Sequence, residues 1–260
     1  MIRVPIGRYV DTTSPVHDLD PRAKLLCFVA LAVVSFFAAE PLEFALTYAT
    51  IGVFIFLSNI PLRLYLRSLK SVVWIVALIV IFNALFTHGE VVFHYRGIIV
   101  TKEGLANGVV FSLRLTAAIL FSSVLSHTTS PMALSRAVES LMKKVGFSLK
   151  VSQSTGMLFA SAIRFVPVIS EEAGRIWMAQ KARGTPFDSR NPIKKITAMT
   201  SVIVPLIVLS LRRAEEFDLA LRLRGYDPSR ERTHFVELRW DLKSSLVMLA
   251  TALVSVAMIV

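Results

Sequence analysis

A single cysteine, Cys27, in a chain of 260 residues rules out an internal disulfide and a thiolate metal site. Set in the apolar run 25–39, it reads as a small buried or lipid-facing residue. The histidines, His17, His88, His94, His127 and His234, share no helical or metal-ligand spacing and are assigned no chemistry. No Gly-Lys dipeptide occurs, which excludes a Walker A loop, and there is no His-Glu-x-x-His helix. No carboxylate pair or Ser/His arrangement sits in the apolar stretches. Positions 1–24 are polar and lack the apolar core of a cleavable signal. The expectation is a protein that is not an enzyme and holds no cofactor or metal.

Apolar residues, by contrast, are abundant. They make up 54% of the chain, with a mean hydropathy of +0.62, more than a soluble core of this size requires. An integral membrane protein follows. The net charge of +11 is distributed in alternation: four Lys/Arg before Leu25, none in Glu40–Glu43, three in Pro61–Ser71, two in His88–Glu103, and nineteen in His127–Lys243. That alternation is the positive-inside pattern, with the N-terminus and the long basic region on the cytoplasmic side. The basic region also carries eleven acidic residues, so it is a mixed surface and not a polycationic arm for nucleic acid.

Taken in order, Asp20 and Pro21 supply a helix cap and first turn, with Arg22 and Lys24 ahead of the apolar run. Leu25–Ala39 and Leu42–Ile60 read as a hairpin of two spans turned at Glu40-Pro41, the first of them short for about 30 Å of hydrocarbon. A basic amphipathic stretch, Pro61–Lys70, is expected at the membrane interface. Ser71–Thr87 and Gly104–Ser126 are the third and fourth spans, joined by a segment whose alternation allows a short hairpin. Arg114 lies in the fourth span, where it is read as facing the bundle and bonding to carbonyls or to a polar side chain such as Asn83. Ser130-Pro131 opens an amphipathic helix with Leu134, Val138, Leu141 and Val145 on one stripe, ending at Gly146. Ser244–Val260 is the last span.

Between positions 156 and 226 the chain repeats itself. Two rods each start with an apolar run containing one proline, Pro167 or Pro205, become charged, and stop at Arg-Gly. Laying Arg183 on Arg224 also aligns Ala173 with Ala214, Ala179 with Ala220 and Gly184 with Gly225. One Arg-Gly end is ordinary, since glycine suits the left-handed position after a helix and a cation suits its negative end. Two matched ends point to a two-pronged tool. The apolar halves, Gly156–Ser170 and Ile196–Leu211, have lengths expected of buried or oblique helices rather than full spans. Asn191 or Ser189 is expected to cap the second rod, with Pro192 near its first turn.

The blocks GRYVDTTSPVHDLDPRAKLL, EGLANGVVFSLRL followed by TTSP, RFVPVISEEAGRIWMAQKARG and PLIVLSLRRAEEFDLALRLRGY, in this order, resemble the transmembrane T component of energy-coupling factor transporters. The shared type is the nearest match, with the dedicated cobalt and biotin types as close alternatives. The resemblance implies two long coupling helices that cross, each ending in an X-Arg-X motif that inserts into one of two ABC ATPase subunits. Here those motifs are Ala182-Arg183-Gly184 and Leu223-Arg224-Gly225, the second departing from the commoner Ala-Arg-Gly at Leu223. It also implies a membrane-embedded, substrate-binding S component docked on the apolar faces of the coupling region, and vitamin or trace-metal uptake across a bacterial or archaeal cell membrane.

The fold class expected is therefore an all-α integral membrane protein of about five spans, with long cytoplasmic-side helices between spans four and five. Residues 1–126 form the first membrane region, 127–243 the coupling region and 244–260 the final span. A self-contained secondary transporter or channel, with Arg114 and the proline-broken runs as its pathway, is the alternative. A membrane-anchored nucleic-acid binder ranks third, because the basic residues lack interleaved aromatics.

Overall fold

The computed structural model describes residues 9–10, 12–95, 98–230 and 240–258. Apart from one hairpin, the regular elements among the described residues are helices, and the protein is an all-α membrane protein. They fall into two compact units, one within residues 138–230, the other comprising 9–137 and 240–258.

In the second of these, helix α1 (Pro21–Ser35) begins as its sequence dictates: the Asp20 carboxylate accepts from the Arg22 amide at 2.8 Å and Pro21 needs no partner for a missing N–H. It ends sooner than the apolar run does. Phe36 and Phe37 turn back onto the carbonyls of Val33 and Val34, so the expected span to Ala39 is only partly helical. Its 15 residues cover about 22 Å, short of the roughly 30 Å hydrocarbon thickness. The Glu40-Pro41 turn is present, held by Glu43, whose carboxylate accepts the amides of Ala39 and Glu40. Helix α2 (Pro41–Leu57) follows.

Helix α3 (Leu62–Lys70) and helix α4 (Val73–Phe86) meet at a 47° bend. Strands β1 (Val91–Tyr95) and β2 (Ile98–Thr101) then pair antiparallel, the expected hairpin. Thr101 caps helix α5 (Lys102–Thr128) by accepting from the Gly104 amide at 3.2 Å, and donates to the Thr87 carbonyl at 2.7 Å, tying the hairpin to the end of α4. Helix α6 (Pro131–Lys144) starts on Ser130, which accepts from the Ala133 amide, and helices α7 (Leu149–Ala182), α8 (Pro192–Leu223) and α9 (Leu242–Ala257) complete the order.

Helix α5 is the axis of this unit and packs against α1, α2, α3 and α4. Phe28 of α1 lies between Phe54 of α2, edge-on at 4.9 Å, and Phe121 of α5 at 6.4 Å. Lipid tails are as apolar as these side chains, so what joins the helices in a membrane is close packing more than flight from water. The α4–α5 seam illustrates this. Gly104 and Gly108 set the backbones so close that a Cβ on Gly104 would strike the Asn83 carbonyl, and one on Gly108 would lie 3.0 Å from Val80 Cα. This Gly-x-x-x-Gly seam went unread in the sequence, although its spacing is visible there.

Polar groups close the unit at one end. Lys24, 3% exposed, donates to the carbonyls of His17 and Thr128 at 2.8 and 3.2 Å. The Asp20 amide donates to Ser244 Oγ on α9, and the Arg22 guanidinium lies 5.6 Å from the Trp240 ring. His17 donates to the Val10 carbonyl and accepts from Ser14, while buried His127 donates to the Ser123 carbonyl and gives its own carbonyl to the Val10 amide. Both histidines thus tie segments of this unit together. Cys27 is buried against Thr251 Oγ1 at 3.3 Å, in keeping with its bland reading.

Arg114 donates from Nε to the Ala38 carbonyl at 2.9 Å; Asn83 instead bonds Ile79 of its own helix. The expectation of a bundle-facing arginine on a carbonyl holds, with the partner in the α1–α2 turn. Helix length and apolarity also differ from the five expected spans. Among the described residues α5 and α8 are long and apolar enough to cross a membrane alone, and α3 with α4 as a bent pair, whereas α2 and α9 are shorter apolar helices. The apolar half of α8 was read as too short for a span, but the helix runs unbroken from Pro192 through Pro205 to Leu223.

Candidate functional site

Helices α7 and α8 are about 51 and 48 Å long. Ser148 caps α7 by accepting from the Val151 amide, and Asn191 caps α8 by accepting from Ile193, with Pro192 at its first position as expected. Each tolerates an internal proline, Pro167 or Pro205, at the cost of one backbone hydrogen bond.

They meet through a short patch. The Phe165 and Phe217 rings pack edge to face at 5.2 Å, and the Glu172 carboxylate, which also reaches Arg175 at 3.5 Å, lies 4.0 Å from the Arg213 guanidinium. Beside them is a cavity of about 200 Å³ lined by Ile169, Leu206, Leu209 and Ser210 under a charged rim. A hairpin folded flat about residues 183–191 would set Glu172 opposite a residue near Ile203. Its partner is Arg213, and the side chains that meet lie within 165–172 and 206–217, a short part of each helix, so the two meet at a crossing and not along their length.

The ion pair has a second property. When Arg183 is laid on Arg224, Glu172 falls on Arg213, so the bridge joins equivalent positions of the repeat. Partly exposed and at the distance limit, it contributes no more than about 1 kcal/mol. Its information is geometric: each arginine stands eleven residues, about 16 Å of helix, beyond the bridge. Sequence reading missed this pair, yet the signal was there, in the acidic doublet Glu171-Glu172 facing the basic doublet Arg212-Arg213 across the repeat.

Both helices end in the same way. Gly184 and Gly225 have φ of +84° and +66°, the left-handed conformation that costs glycine little. Thr185 N–H donates to the Gln180 carbonyl and Gly184 N–H to Lys181; Tyr226 N–H donates to Leu221 and Gly225 N–H to Arg222. These are paired Schellman closures. Helix α6 closes likewise, with Phe147 and Gly146 donating to Met142 and Lys143 and φ of +97° at Gly146, but it carries Val145 where the others carry arginine. The closure therefore does not require an arginine.

Ala182, Arg183, Gly184, Leu223, Arg224 and Gly225 are all exposed, Leu223 to 79%. Among the described residues neither Arg183 nor Arg224 has an ion-pair or side-chain hydrogen-bond partner. Their neighbours differ: Arg175 reaches Glu172, and Arg222 bonds Asp218 at 2.9 Å. Upstream, the apolar faces are open, with Leu158, Ile193, Ile196 and Leu211 each more than 60% exposed. Exposed apolar side chains in this number belong to a surface met by lipid or protein.

A family model described as cobalt transport protein, CbiQ, matches residues 12–235. Over 255 residues the chain is 36% identical to the energy-coupling factor transporter transmembrane protein EcfT of Limosilactobacillus fermentum (strain CECT 5716 / Lc40), covering 98% of this chain and 96% of that one. It is likewise 36% identical to the EcfT protein of Streptococcus thermophilus (strain ATCC BAA-250 / LMG 18311), over 96% and 95% of the two chains. The EcfT protein of Thermanaerovibrio acidaminovorans (strain ATCC 49978 / DSM 6589 / Su883) is also 36% identical, over 98% and 94%. With paired arginine-tipped helices in one unit, a packed apolar bundle in the other and likeness along almost its whole length, the chain belongs to the family of transmembrane components of energy-coupling factor transporters.

Proposed function

We propose that this chain transmits ATP-driven motion from two ABC ATPase subunits to a membrane-embedded S component that binds the substrate, a vitamin or a trace metal. The observation that carries the reading is the matched pair of exposed arginines, without a side-chain partner among the described residues and equally far from a bridge between equivalent positions of the repeat. A guanidinium fixed on a rigid helix end is suited to several charge-assisted bonds with carboxylates or carbonyls of a partner. Residues 127–243 are the coupling region in this account, and the open apolar faces of α7 and α8 receive the S component. Residues 1–126 and 244–260 are the membrane regions. No nucleic acid takes part.

Co-purification tests the assignment. Two ATPases and a small membrane protein should accompany the chain from its native membrane, and the chain alone should neither hydrolyse ATP nor take up substrate in proteoliposomes. Facilitated uptake by the isolated chain would instead establish a secondary transporter.

The Lys/Arg distribution supports a cytoplasmic N-terminus and 127–243 region, and the family resemblance supports a multi-pass protein of a bacterial or archaeal cell membrane. A cysteine introduced at Ser189 on a Cys27→Ser background should resist an impermeant thiol reagent added outside intact cells. Labelling there would reverse the topology.

A further inference from the structure

Helix α3 presents two faces with different demands. One is satisfied: Tyr65, 1% exposed, shares a hydrogen bond with Ser58 at 3.0 Å, Ser68 meets Ser123 of α5 at 3.2 Å, and Leu64 and Leu69 pack on the core. The other is open. Leu62 and Leu66 are 58% and 55% exposed, and beside them Arg63, Arg67 and Lys70, all exposed, follow one another at helical spacing. The helix contains no acidic residue, and among the described residues none of these three cations has an ion-pair or hydrogen-bond partner.

Helix-end electrostatics accounts for only part of this. Arg67 and Lys70 lie in the last turn, where the helix dipole favours them. Arg63 is in the first turn, at the positive end, where the dipole works against a cation. An external anion would resolve the conflict. The apolar pair beside it continues into α4, whose exposed residues begin with Val73 and Trp74, the latter 78% exposed at the start of an apolar helix. Tryptophan at such a position marks a membrane–water boundary. Open apolar residues, a row of unpaired cations and a membrane helix leaving at 47° together describe a segment lying in the plane of a bilayer.

We propose that the outer face of α3 is a binding surface for anionic phospholipid headgroups, with Arg63, Arg67 and Lys70 on the phosphates and Leu62 and Leu66 in the acyl boundary. A cation near an anionic membrane surface strengthens binding roughly fivefold, so the three together amount to a preference on the order of a hundredfold before screening.

Trp74 gives a local reading of this. The full chain carrying Trp177→Phe and Trp240→Phe, reconstituted in phosphatidylcholine vesicles, would be titrated with brominated phosphatidylglycerol or brominated phosphatidylcholine. Half-quenching by the anionic lipid is expected at a mole fraction at least tenfold lower than by the neutral one. Arg63→Gln, Arg67→Gln and Lys70→Gln combined should bring the two lipids together, while Arg63→Lys with Arg67→Lys should preserve the parent's preference, showing that charge and not a fold defect is responsible. Equal quenching by both lipids in the parent, or an undiminished preference in the triple variant, would overturn the proposal and leave this face to a protein partner.

Discussion

Four cations of this molecule show two kinds of placement, one kind in each unit. Lys24 and Arg114, in the unit built around α5, are turned inward and donate to main-chain carbonyls that the helices leave open, those of His17, Thr128 and Ala38. Arg183 and Arg224, on α7 and α8, sit at exposed helix ends that close without their help, as the Val145-Gly146 end of α6 demonstrates. The inward cations complete a structure. The outward ones complete nothing among the described residues, which is why a partner is the economical explanation for them. Core packing follows the same division: α1 and α5 bury large side chains such as Leu31 and Phe121, whereas α8 buries only Ala198.

Breaking the contrast at its outward end should have the largest effect. If Arg183 and Arg224 become buried across an interface, removing either leaves partner groups stranded and costs about 2–5 kcal/mol of binding. As mere helix-end cations they would contribute only about 0.3–1 kcal/mol of local stability. Arg183→Glu or Arg224→Glu should therefore sharply reduce recovery of the ATPases in pull-downs and abolish coupled uptake, the double variant being the worst. Arg175→Glu and Arg222→Glu lose only an exposed pair on their own helix and should do much less. Normal assembly and transport by both tip variants, with the controls unchanged, would reduce these arginines to caps.

A smaller effect is expected at the inward end. Gly108→Leu would press side-chain atoms into Val80 of α4, an overpacking that costs about 1–3 kcal/mol. The expected outcome is a lowered midpoint of thermal unfolding in detergent, with the conservative Gly108→Ala lying between it and the parent. An unchanged midpoint for Gly108→Leu would mean that the α4–α5 seam is loose and that α5 is not the axis of the unit.

What could be read from the sequence was local. Asp20-Pro21, Ser130-Pro131 and Asn191-Pro192 each start a helix because the chemistry of a cap is complete within four residues. The Arg-Gly ends were visible for the same reason, and their repetition directed attention to the pair. Contacts over long sequence separations were not visible. Lys24 resembled another basic residue flanking a span, and only the fold brings the Thr128 carbonyl, 104 residues away, within its reach. Arg114 was read as bonding inward, but its partner Ala38 lies beyond the end of α1, in the turn where the apolar run outlasts the helix. Hydropathy records how long a segment is apolar, not where its backbone turns. The crossing of α7 and α8 was expected only by family resemblance, since nothing in either helix alone says which residues of the other it will touch.

The equal distances of Arg183 and Arg224 from the Glu172–Arg213 bridge have a mechanical meaning. Two stiff arms of one length on a shared fulcrum form a balance. Equal loads at the two ends cancel as torque and carry the fulcrum along, whereas unequal loads turn one arm against the other. In the coupling role proposed above, a device so proportioned would sort what its ends receive into a joint stroke and a twist, by geometry alone.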